Sequence, residues 1–364
     1  MSTPLLVWEY FSVFILAVIA IIDIAGAISR AKAISSTPRP AVKRVKSVLV
    51  MVPCKGLDYM LSENLDSLKS QKYGNSRLVA IVDKISDPSL GQIKALGIDF
   101  MVSRKVSGKA SGKVNAILSA VKAFPNYDAY VIADSDVRFG KGWLEHMILP
   151  LNDPGTGLST MYPYFSPAGG FWSRVKSSWG IVGEGLMKRE STRFGWGGSL
   201  AFRKSLLDKG AEELMLNSRY SVSDDICLTI AAKRNGLHIA YIRSPQPAVY
   251  SDDGFSTFLE WSNRQTALSI MGNNGNLYIG LPFYIAESLL VLSGISLSLL
   301  ASPLFIILLL HSARNGLINS KRPGRRLGES VLISFLLPFI YAANLVSASR
   351  MKRITWRGTE YRIR

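Results

Sequence analysis

Apolar residues are concentrated at the two ends of the chain. Residues 11–29 are almost entirely apolar, with Asp23 as the one charge, and with their flanks they are long enough to cross a bilayer. A cleaved signal peptide is the competing interpretation, which is weaker because no basic residue precedes the apolar run. Basic residues follow it, namely Arg30, Lys32, Arg39, Lys43, Arg44 and Lys46, with a Ser/Pro linker at Ser35–Pro40. The positive-inside rule therefore predicts a membrane anchor followed by a cytoplasmic segment.

Short apolar segments alternate with helical patterns between residues 47 and 253. The segments that predict strands are Ser47–Pro53, Leu78–Val82, Asp99–Ser103 and Ala129–Ala133. The segments that predict helices are Tyr59–Leu68, Leu90–Leu96 and Lys113–Ala123, with Asp58 in the position of an N-terminal cap for the first. This alternation predicts an α/β fold built from parallel βαβ units. Neither a G-x-G-x-x-G sequence nor a Walker loop occurs, so a dinucleotide or P-loop site is not expected.

The C-terminal third returns to the membrane. Phe255–Met271 is amphipathic and suits the membrane interface, while Gly280–Leu310 is apolar apart from Glu287 and is long for one pass but short for two. The basic residues that follow, and those of the tail, indicate a cytoplasmic position: Arg314, Lys321, Arg322, Arg325, Arg326, Arg350, Lys352, Arg353, Arg357, Arg362 and Arg364. We therefore expect Gly280–Leu310 to form a tight hairpin and Val331–Val346 to be re-entrant or interfacial, although the sequence does not fix the number of passes.

Four segments follow from these patterns. They are an anchor with a basic linker (residues 1–46), an α/β domain (47–253), an interface helix (254–279), and membrane segments with a basic tail (280–364). The expected protein is thus an integral membrane protein with a cytoplasmic α/β domain.

Composition and charge narrow the class of partner. The chain has 364 residues, is 48% hydrophobic and carries a formal net charge of +17, which suits nucleic acid, an anionic membrane or a phosphorylated substrate. Much of the charge lies beside apolar segments, which favours anionic lipids. Nucleic acid is not expected, because the sequence has no aromatic and basic platform. Cys54 and Cys227 are too few for a disulfide framework or a zinc site and are expected in the core, and the three histidines show no ligand spacing.

The strongest chemical signal is a pair of acids after the fourth predicted strand. Val131–Ala133 lead directly into Asp134 and Asp136, and alternation puts both carboxylates on one side of the chain. Acids at the carboxyl edge of a parallel sheet can hold a divalent cation, and the cation can hold a diphosphate. A solvated polar turn is the alternative. A phosphatase of the haloacid dehalogenase type is disfavoured, because its acids follow the first strand.

Seven short motifs occur in one order along the chain. They are P-C-K-G-L-D at Pro53–Asp58, S-D-P at Ser86–Pro88, G-K-V-N at Gly112–Asn115, D-S-D at Asp134–Asp136, G-G-S at Gly197–Ser199 with Arg203 and Lys204 after it, S-D-D at Ser223–Asp225, and W-R-G with Y-R at Trp356–Arg362. From about Val52 to Arg364 the sequence thereby resembles family 2-type glycosyltransferases of the GT-A fold, most of all ceramide glucosyltransferases and related lipid glycosyltransferases. One stretch departs: Trp261–Gln265 (WSNRQ) keeps only the arginine of the usual Q/R-x-x-R-W.

Sugar transfer from a nucleotide diphosphate needs a cation, a base and a held donor. We expect Asp136 to be the first ligand of Mg²⁺ or Mn²⁺, with Asp134 sharing the metal or holding the ribose. The base that takes the proton of the acceptor hydroxyl is expected to be Asp225, with Asp224 second. An N-terminal helix position is the structural alternative for both and is compatible with that role. A single base acting by direct displacement implies inversion.

The remaining candidates are donor and acceptor contacts. For the UDP-sugar they are Pro53, Lys55, Asp83, Asp87, Lys113, Asp134 and Arg264. The alternative to donor binding for Asp83 and Asp87 is a position in a solvated loop. For Arg264 the alternative is that its side chain snorkels to the membrane interface, although a guanidinium also suits a phosphate. The acceptor loop is expected at Trp196, Gly197, Gly198 and Ser199, where glycines would let the backbone approach the sugar or lipid. An ordinary turn before a strand is the alternative there.

These residues and the resemblance together imply an inverting, metal-dependent glycosyltransferase. It would move a sugar, most simply glucose from UDP-glucose, to a lipid hydroxyl at the cytoplasmic membrane face. A polyprenyl-phosphate sugar transferase would differ in its acceptor, which is a phosphate. The altered WSNRQ stretch supports a further alternative, an inactive family member that binds lipid or partner proteins.

Overall fold

The computed structural model of the chain describes residues 3–33 and 44–363. The expected linker Ser35–Pro40, the basic residues Arg39 and Lys43, and Arg364 lie outside the described residues. The chain divides into two compact units. The helical unit is Met1–Ser36, Ser166–Ile181 and Asp252–Met351, and the sheet unit is Thr37–Phe165, Val182–Ser251 and Lys352–Arg364. Compared with the division expected from sequence, residues 166–181 fall in the helical unit and the tail from Lys352 falls in the sheet unit.

The elements are as follows. The strands are β1 (Ser47–Cys54), β2 (Asn75–Val82), β3 (Asp99–Val102), β4 (Ala129–Ala133), β5 (Val137–Arg138), β6 (Thr156–Thr160), β7 (Tyr164–Pro167), β8 (Ser199–Arg203), β9 (His238–Tyr241), β10 (Ala248–Ser251), β11 (Arg353–Trp356) and β12 (Thr359–Arg362). The α-helices are α1 (Thr3–Ala33), α2 (Leu61–Lys69), α3 (Leu90–Ala95), α4 (Gly112–Ala123), α5 (Trp143–Ile148), α6 (Phe171–Trp179), α7 (Ile181–Met187), α8 (Glu212–Asn217), α9 (Asp224–Arg234), α10 (Phe255–Gly272), α11 (Gly275–Leu300), α12 (Leu310–Ser320) and α13 (Leu327–Arg350).

The main sheet of the described chain has seven strands in the order β3-β2-β1-β4-β8-β6-β9. β1 is parallel to β2 and β4, and β2 is parallel to β3, which confirms the parallel βαβ units expected from sequence. β8 is antiparallel to both β4 and β6, an arrangement that the sequence pattern did not predict. The fold is therefore α/β with a mostly parallel central sheet.

The core explains why these segments became strands. Every residue of β4 is fully buried, and Tyr130 of β4 stacks on Phe202 of β8 with ring centroids 5.8 Å apart. A strand with helices on both faces of its sheet must be apolar throughout, which is the pattern of Ala129–Ala133. The same core receives the apolar face of α4, whose Val114 and Ile117 are fully buried. Cys54 and Cys227 are both buried and unpaired, as expected.

The expected capping role of Asp58 is wrong. α2 begins at Leu61 after Met60, which has a left-handed backbone (φ 56°), and no side chain caps the helix. The Asp58 carboxylate instead accepts a hydrogen bond from Ser135 Oγ at 2.6 Å and pairs with Arg357. Its polar capacity is used by tertiary contacts, so the local pattern alone could not assign it.

In the helical unit, three described helices are long and apolar enough to cross a membrane by length and composition: α1, α11 and α13. α11 is one 26-residue helix, after which the chain turns into a short 3₁₀ segment, Pro303–Leu309. A reversal thus occurs within the expected hairpin, but its first arm has the length of a full pass. α13 is an unbroken 24-residue helix that contains Val331–Val346, so a re-entrant turn there is wrong. An interfacial position for α13 stays a prediction.

Candidate active site

The register of β4 and β8 creates the site. Ala133 pairs with Ser199, so the loop that leaves β4 and the loop that enters β8 lie side by side. Asp134 N–H donates to the Gly198 carbonyl at 3.2 Å across this junction. The alternation expected after β4 is also present, because Asp134 and Asp136 are partly exposed whereas Ser135 is buried. The two acids and the glycine loop therefore share one edge of the sheet.

Lys113 lies at the centre of these groups. It stands in the first turn of α4, and its Nζ is 2.7 Å from Asp134 Oδ1, 3.4 Å from Asp224 Oδ2 and 3.1 Å from the Gly197 carbonyl, to which it donates. The Lys113 side chain is only 9% exposed. One ammonium thus joins the starts of α4 and α9 with the end of β4 and the glycine loop. The sequence predicted Lys113 as a contact of the UDP-sugar but did not indicate these carboxylates.

The charges in this cluster do not balance. Burial raises the pKa of the Asp224 carboxyl to about 7, with Asp225 and Asp134 acting in the same direction and Lys113 opposing them. Burial likewise raises the pKa of Asp134, again against the pull of Lys113. Burial alone would lower the pKa of Lys113, but Asp134 and Asp224 outweigh it and raise that pKa. Since one lysine serves several carboxylates, burial raises the pKa of both Asp134 and Asp224 in spite of their contact with Lys113.

Asp224 and Asp225 have different environments at the start of α9. Asp224 is buried against Lys113, whereas Asp225 is partly exposed. Asp225 Oδ1 accepts hydrogen bonds from Ser223 Oγ and from the Ile226 N–H at 2.8 Å, and Oδ2 accepts one from the Gly197 N–H at 3.3 Å. The N-terminus of a helix also favours a carboxylate. Of these two acids, Asp225 is therefore the one that is accessible to solvent, and its carboxylate is held in place by hydrogen bonds.

Packing within the protein explains why glycine occupies two positions of the expected acceptor loop, which the sequence pattern did not indicate. A Cβ at Gly197 would lie 2.9 Å from both Asp224 Oδ2 and Lys113 Nζ, and a Cβ at Gly198 would lie 2.3 Å from the indole of Trp196. The space beside these backbones is thus filled by the protein itself, rather than kept open for a ligand. Internal packing therefore requires these glycines, and the approach of an acceptor to this loop stays a prediction.

Ser199 is also a core residue. Its side chain is fully buried, and its Oγ accepts a hydrogen bond from Trp143 Nε1 at 2.8 Å. It cannot contact an acceptor from this position, so its expected role is corrected. Thr160 Oγ1 accepts a hydrogen bond from the Trp196 N–H at 3.0 Å, and Thr229 Oγ1 accepts one from the Gly195 N–H at 2.9 Å. These hydroxyls hold the loop in place.

The residues proposed for the nucleotide side lie around the end of β1. Pro53 is within β1 opposite Ile81, and Lys55 Nζ is 3.3 Å from Asp83 Oδ2. Asp87 is buried, not solvated, and accepts hydrogen bonds from the Gly56 N–H (3.1 Å) and from Ser89 Oγ (2.7 Å). Burial opposes ionisation of Asp87, but these bonds outweigh it and lower its pKa. Asp87 therefore supports residues 55–60, which connect β1 to α2 and are called the β1 loop.

Arg264 belongs to α10 of the helical unit. Its guanidinium is 3.6 Å from Glu260, one helical turn earlier, and its side chain is mostly buried. A role in donor binding stays a prediction.

The tail contributes residues that sequence analysis missed as site residues. Arg357 donates to the Lys55 carbonyl at 3.1 Å and pairs with Asp58, and Tyr361 Oη accepts from the Gly112 N–H at 3.2 Å. The W-R-G and Y-R motif was the available signal, but nothing in the spacing of residues 356–362 indicated where they would lie.

A divalent cation fits this site only with help from the substrate. Among the described residues, no group of three or more His, Cys, Asp or Glu side chains is arranged to hold a metal ion. Asp134 is paired with Lys113, and the role of Asp136 as first ligand stays a prediction. Mg²⁺ and Mn²⁺ are commonly held by one or two carboxylates together with substrate phosphates and water. The donor set at Asp134 and Asp136 suits that kind of binding.

The fold is shared with a solved glycosyltransferase. The structure is similar to the mannosyltransferase PcManGT from Pyrobaculum calidifontis, solved in complex with GDP-Man and Mn²⁺, with a TM-score of 0.54 and 16% identity over 93% of this chain and 97% of that chain. Glucosyl-3-phosphoglycerate synthase from Mycobacterium tuberculosis, in complex with Mn²⁺, UDP and phosphoglyceric acid, gives a TM-score of 0.42 and 16% identity over 62% of this chain and 76% of that chain, too distant to carry an argument. The first likeness supports the GT-A fold expected from sequence.

The sequence itself assigns the family. No curated protein matches the chain. The profile of Glycosyl transferase family 21 matches residues 12–364, which is nearly all of the sequence. The protein therefore belongs to glycosyltransferase family 21.

Proposed function

We propose that the protein transfers a sugar, glucose by its resemblance, from a UDP-sugar to the hydroxyl of a lipid, with inversion. The observation that carries this proposal is the convergence of Asp134, Lys113, Asp224 and Asp225 beside Gly197 at one edge of the sheet. Such a cluster combines a place for a cation, a fixed carboxylate and a buried positive charge. These are the requirements of displacement at a nucleotide sugar.

In this proposal Asp136, with Asp134, holds Mg²⁺ or Mn²⁺, and the cation neutralises the charge that develops on the leaving diphosphate. Lys113 stabilises the same region as a fixed positive charge. The end of β1 at Pro53, the β1 loop at Lys55, and Asp83 directly after β2 border the nucleotide. Asp87 has an indirect role, because it accepts a hydrogen bond from the Gly56 N–H and so holds the β1 loop in position.

Asp225 is the proposed base. The acceptor oxygen forms a bond to the anomeric carbon while the bond from that carbon to the UDP oxygen breaks, and the acceptor proton moves to the Asp225 carboxylate. Its hydrogen bonds from Ser223, Ile226 and Gly197 keep the carboxylate in one orientation. A direct displacement of this kind inverts the anomeric centre.

The lipid acceptor is supported by the helical unit. Three of its described helices have the length and apolarity to cross a bilayer, and α10 has the composition of an interfacial helix. We place the sheet unit at the cytoplasmic face, because the basic residues around these segments follow the positive-inside rule. Trp196 and Gly197 border the acceptor in this proposal. A positively charged chain also suits a bilayer that contains anionic lipids.

The test is product analysis. Purified protein in detergent is incubated with a panel of nucleotide sugars and a lipid extract, with and without a chelator, and lipids are identified by mass spectrometry. We expect a chelator-sensitive glycolipid with the sugar on a hydroxyl group, lost in Asp225→Asn and kept in Asp66→Asn, an exposed acid on α2. If the sugar were instead found on polyprenyl phosphate, the protein would be a polyprenyl-phosphate sugar transferase, and the proposed hydroxyl acceptor would be wrong. No turnover or hydrolysis with any donor would favour an inactive lipid-binding member.

A further inference from the structure

The turn of the C-terminal hairpin has an unusual backbone. β11 and β12 pair antiparallel with Trp356 opposite Thr359, which leaves Arg357 and Gly358 as a two-residue turn. Both have positive φ, 51° and 73°, as a type I′ turn requires. Gly, Asn and Asp suit the first position of such a turn, whereas a long side chain there is uncommon. The arginine is thus held where the backbone does not favour it, which points to a use for its side chain.

The Arg357 side chain lies among the acids of the site. Its guanidinium pairs with Asp58 and donates to the Lys55 carbonyl, and it interacts electrostatically with Asp136 and Asp134. The side chain is 39% exposed, while that of Asp58 is 8% exposed. The guanidinium is therefore fixed by Asp58 and the Lys55 carbonyl, while part of the Arg357 side chain remains open to solvent.

The hairpin is anchored at a second point. Tyr361 Oη accepts a hydrogen bond from the Gly112 N–H, next to Lys113 at the start of α4. Ile354 and Ile363 are buried, and Arg353 pairs with Glu360 at 3.0 Å across the two strands. The hairpin thus contacts both the β1 loop and the first turn of α4. The proposed function assigns residues of these two segments, Lys55 and Lys113, to the donor.

Charge explains what the guanidinium would bind. Asp58 pairs with it and Asp134 and Asp136 attract it electrostatically, and Lys113 balances only part of the charge of these acids. A cation taken up at Asp136 would neutralise these acids and reduce their hold on Arg357. A guanidinium has donors on several edges and suits the oxygens of a phosphate group. It can therefore remain bound to Asp58 and also contact a phosphate.

From these contacts we propose that Arg357 is a donor-binding residue that contacts the diphosphate of the nucleotide sugar, with the tail hairpin as its support. This inference rests on the proposed function, because it takes the donor to be a nucleoside diphosphate sugar. It gives the tail a positioning role in the same site. Hydrogen bonds to charged groups contribute about 1.5–3 kcal/mol, so losing this contact corresponds to about 10- to 150-fold in affinity.

The test is calorimetry of UDP, GDP and uridine with the full chain in detergent, with Mg²⁺ present. For Arg357→Gln we expect UDP affinity to fall about 10- to 150-fold while uridine affinity stays unchanged, because uridine lacks the phosphates. The UDP affinity of Arg357→Lys should lie between those of the wild type and Arg357→Gln, since lysine keeps the positive charge but not the forked guanidinium donors. Arg353→Gln, an exposed residue of the same hairpin, should bind UDP like the wild type.

Two further results separate the possible failures. If Arg357 served only to hold Asp58, then Arg357→Gln and Asp58→Asn would both lower the unfolding temperature and leave UDP affinity unchanged, and that result would overturn the inference alone. Equal loss of UDP and uridine binding in Arg357→Gln would show a general disturbance of the site and would also overturn it. A wild-type protein that binds neither UDP nor GDP would overturn the proposed function and the inference together.

Discussion

Replacing Lys113 with methionine tests the centre of the cluster. Methionine fills a similar volume but removes the ammonium that lies 2.7 Å from Asp134 and 3.4 Å from Asp224. Removing one partner of a buried ion pair costs about 3–5 kcal/mol, because the other charge stays buried without compensation. The Asp134 side chain is 30% exposed and can be partly hydrated, so we expect the lower end, about 3 kcal/mol. That is a factor of over 100 in the folding equilibrium.

The assay is denaturant unfolding in detergent, followed by tryptophan fluorescence. Lys122→Met is the matched control, because Lys122 lies on the same helix, is 53% exposed and is 3.8 Å from Glu212. An exposed pair of this kind contributes about 0–1 kcal/mol, so the control should unfold almost like the wild type.

A double variant separates electrostatics from packing. Asp224→Asn removes the acid that Lys113→Met leaves buried without its ammonium partner, so the double variant should be more stable than the sum of the single losses predicts. A coupling of about 1–3 kcal/mol is the expected size for residues in contact. If Lys113→Met unfolded within about 0.5 kcal/mol of the wild type, or if the two losses simply added, the buried ammonium would not stabilise the fold through its carboxylate partners.

Three other predictions concern single acids. Asp136→Ala should abolish the metal-dependent part of UDP binding, and calorimetry with Mn²⁺ that gave an unchanged affinity would contradict its role as first ligand. Asp225→Asn should keep UDP binding but slow transfer by about 10²–10⁴-fold, with Asp224→Asn milder; comparable turnover at matched folded protein would place the base elsewhere. Because the pKa of Asp224 is raised from 3.8 to about 7, the folded state binds the extra proton between these values. Stability should therefore fall as pH rises across this range, by up to about 1.4 kcal/mol per pH unit, and thermal unfolding of Asp224→Asn should lack this slope; equal pH profiles would refute it.

The parallel half of the sheet could be predicted because its signal is local. β4 begins and ends at the expected residues, since five consecutive apolar residues with acids directly after them leave little choice. β8 could not be predicted in the same way. Its pairing with β4 joins residues 133 and 199, and nothing in the local pattern indicates that direction or partner.

The site was predicted in its residue types but not in its contacts. A lysine in the first turn of a helix is disfavoured by the helix dipole, which favours a functional role for Lys113 but does not indicate its partners. The partners come from three separate elements. Asp58 and Gly198 show the opposite problem, because each has a simple local explanation, a cap and an open backbone. The structure replaces the first with a tertiary contact to Arg357 and, for the second, places the Trp196 indole where a Cβ of residue 198 would lie.

The tail hairpin has a consequence for how the protein is made. Arg357 lies 299 residues after Asp58, and Tyr361 lies 249 residues after Gly112. A chain is synthesised from its N-terminus, so the acids and Lys113 emerge long before the residues that bridge their loops. All three candidate membrane helices are also translated before the hairpin. A nascent chain would therefore carry its acidic cluster without Arg357 until these helices had been made, and the proposed donor side of the site would be completed only after them.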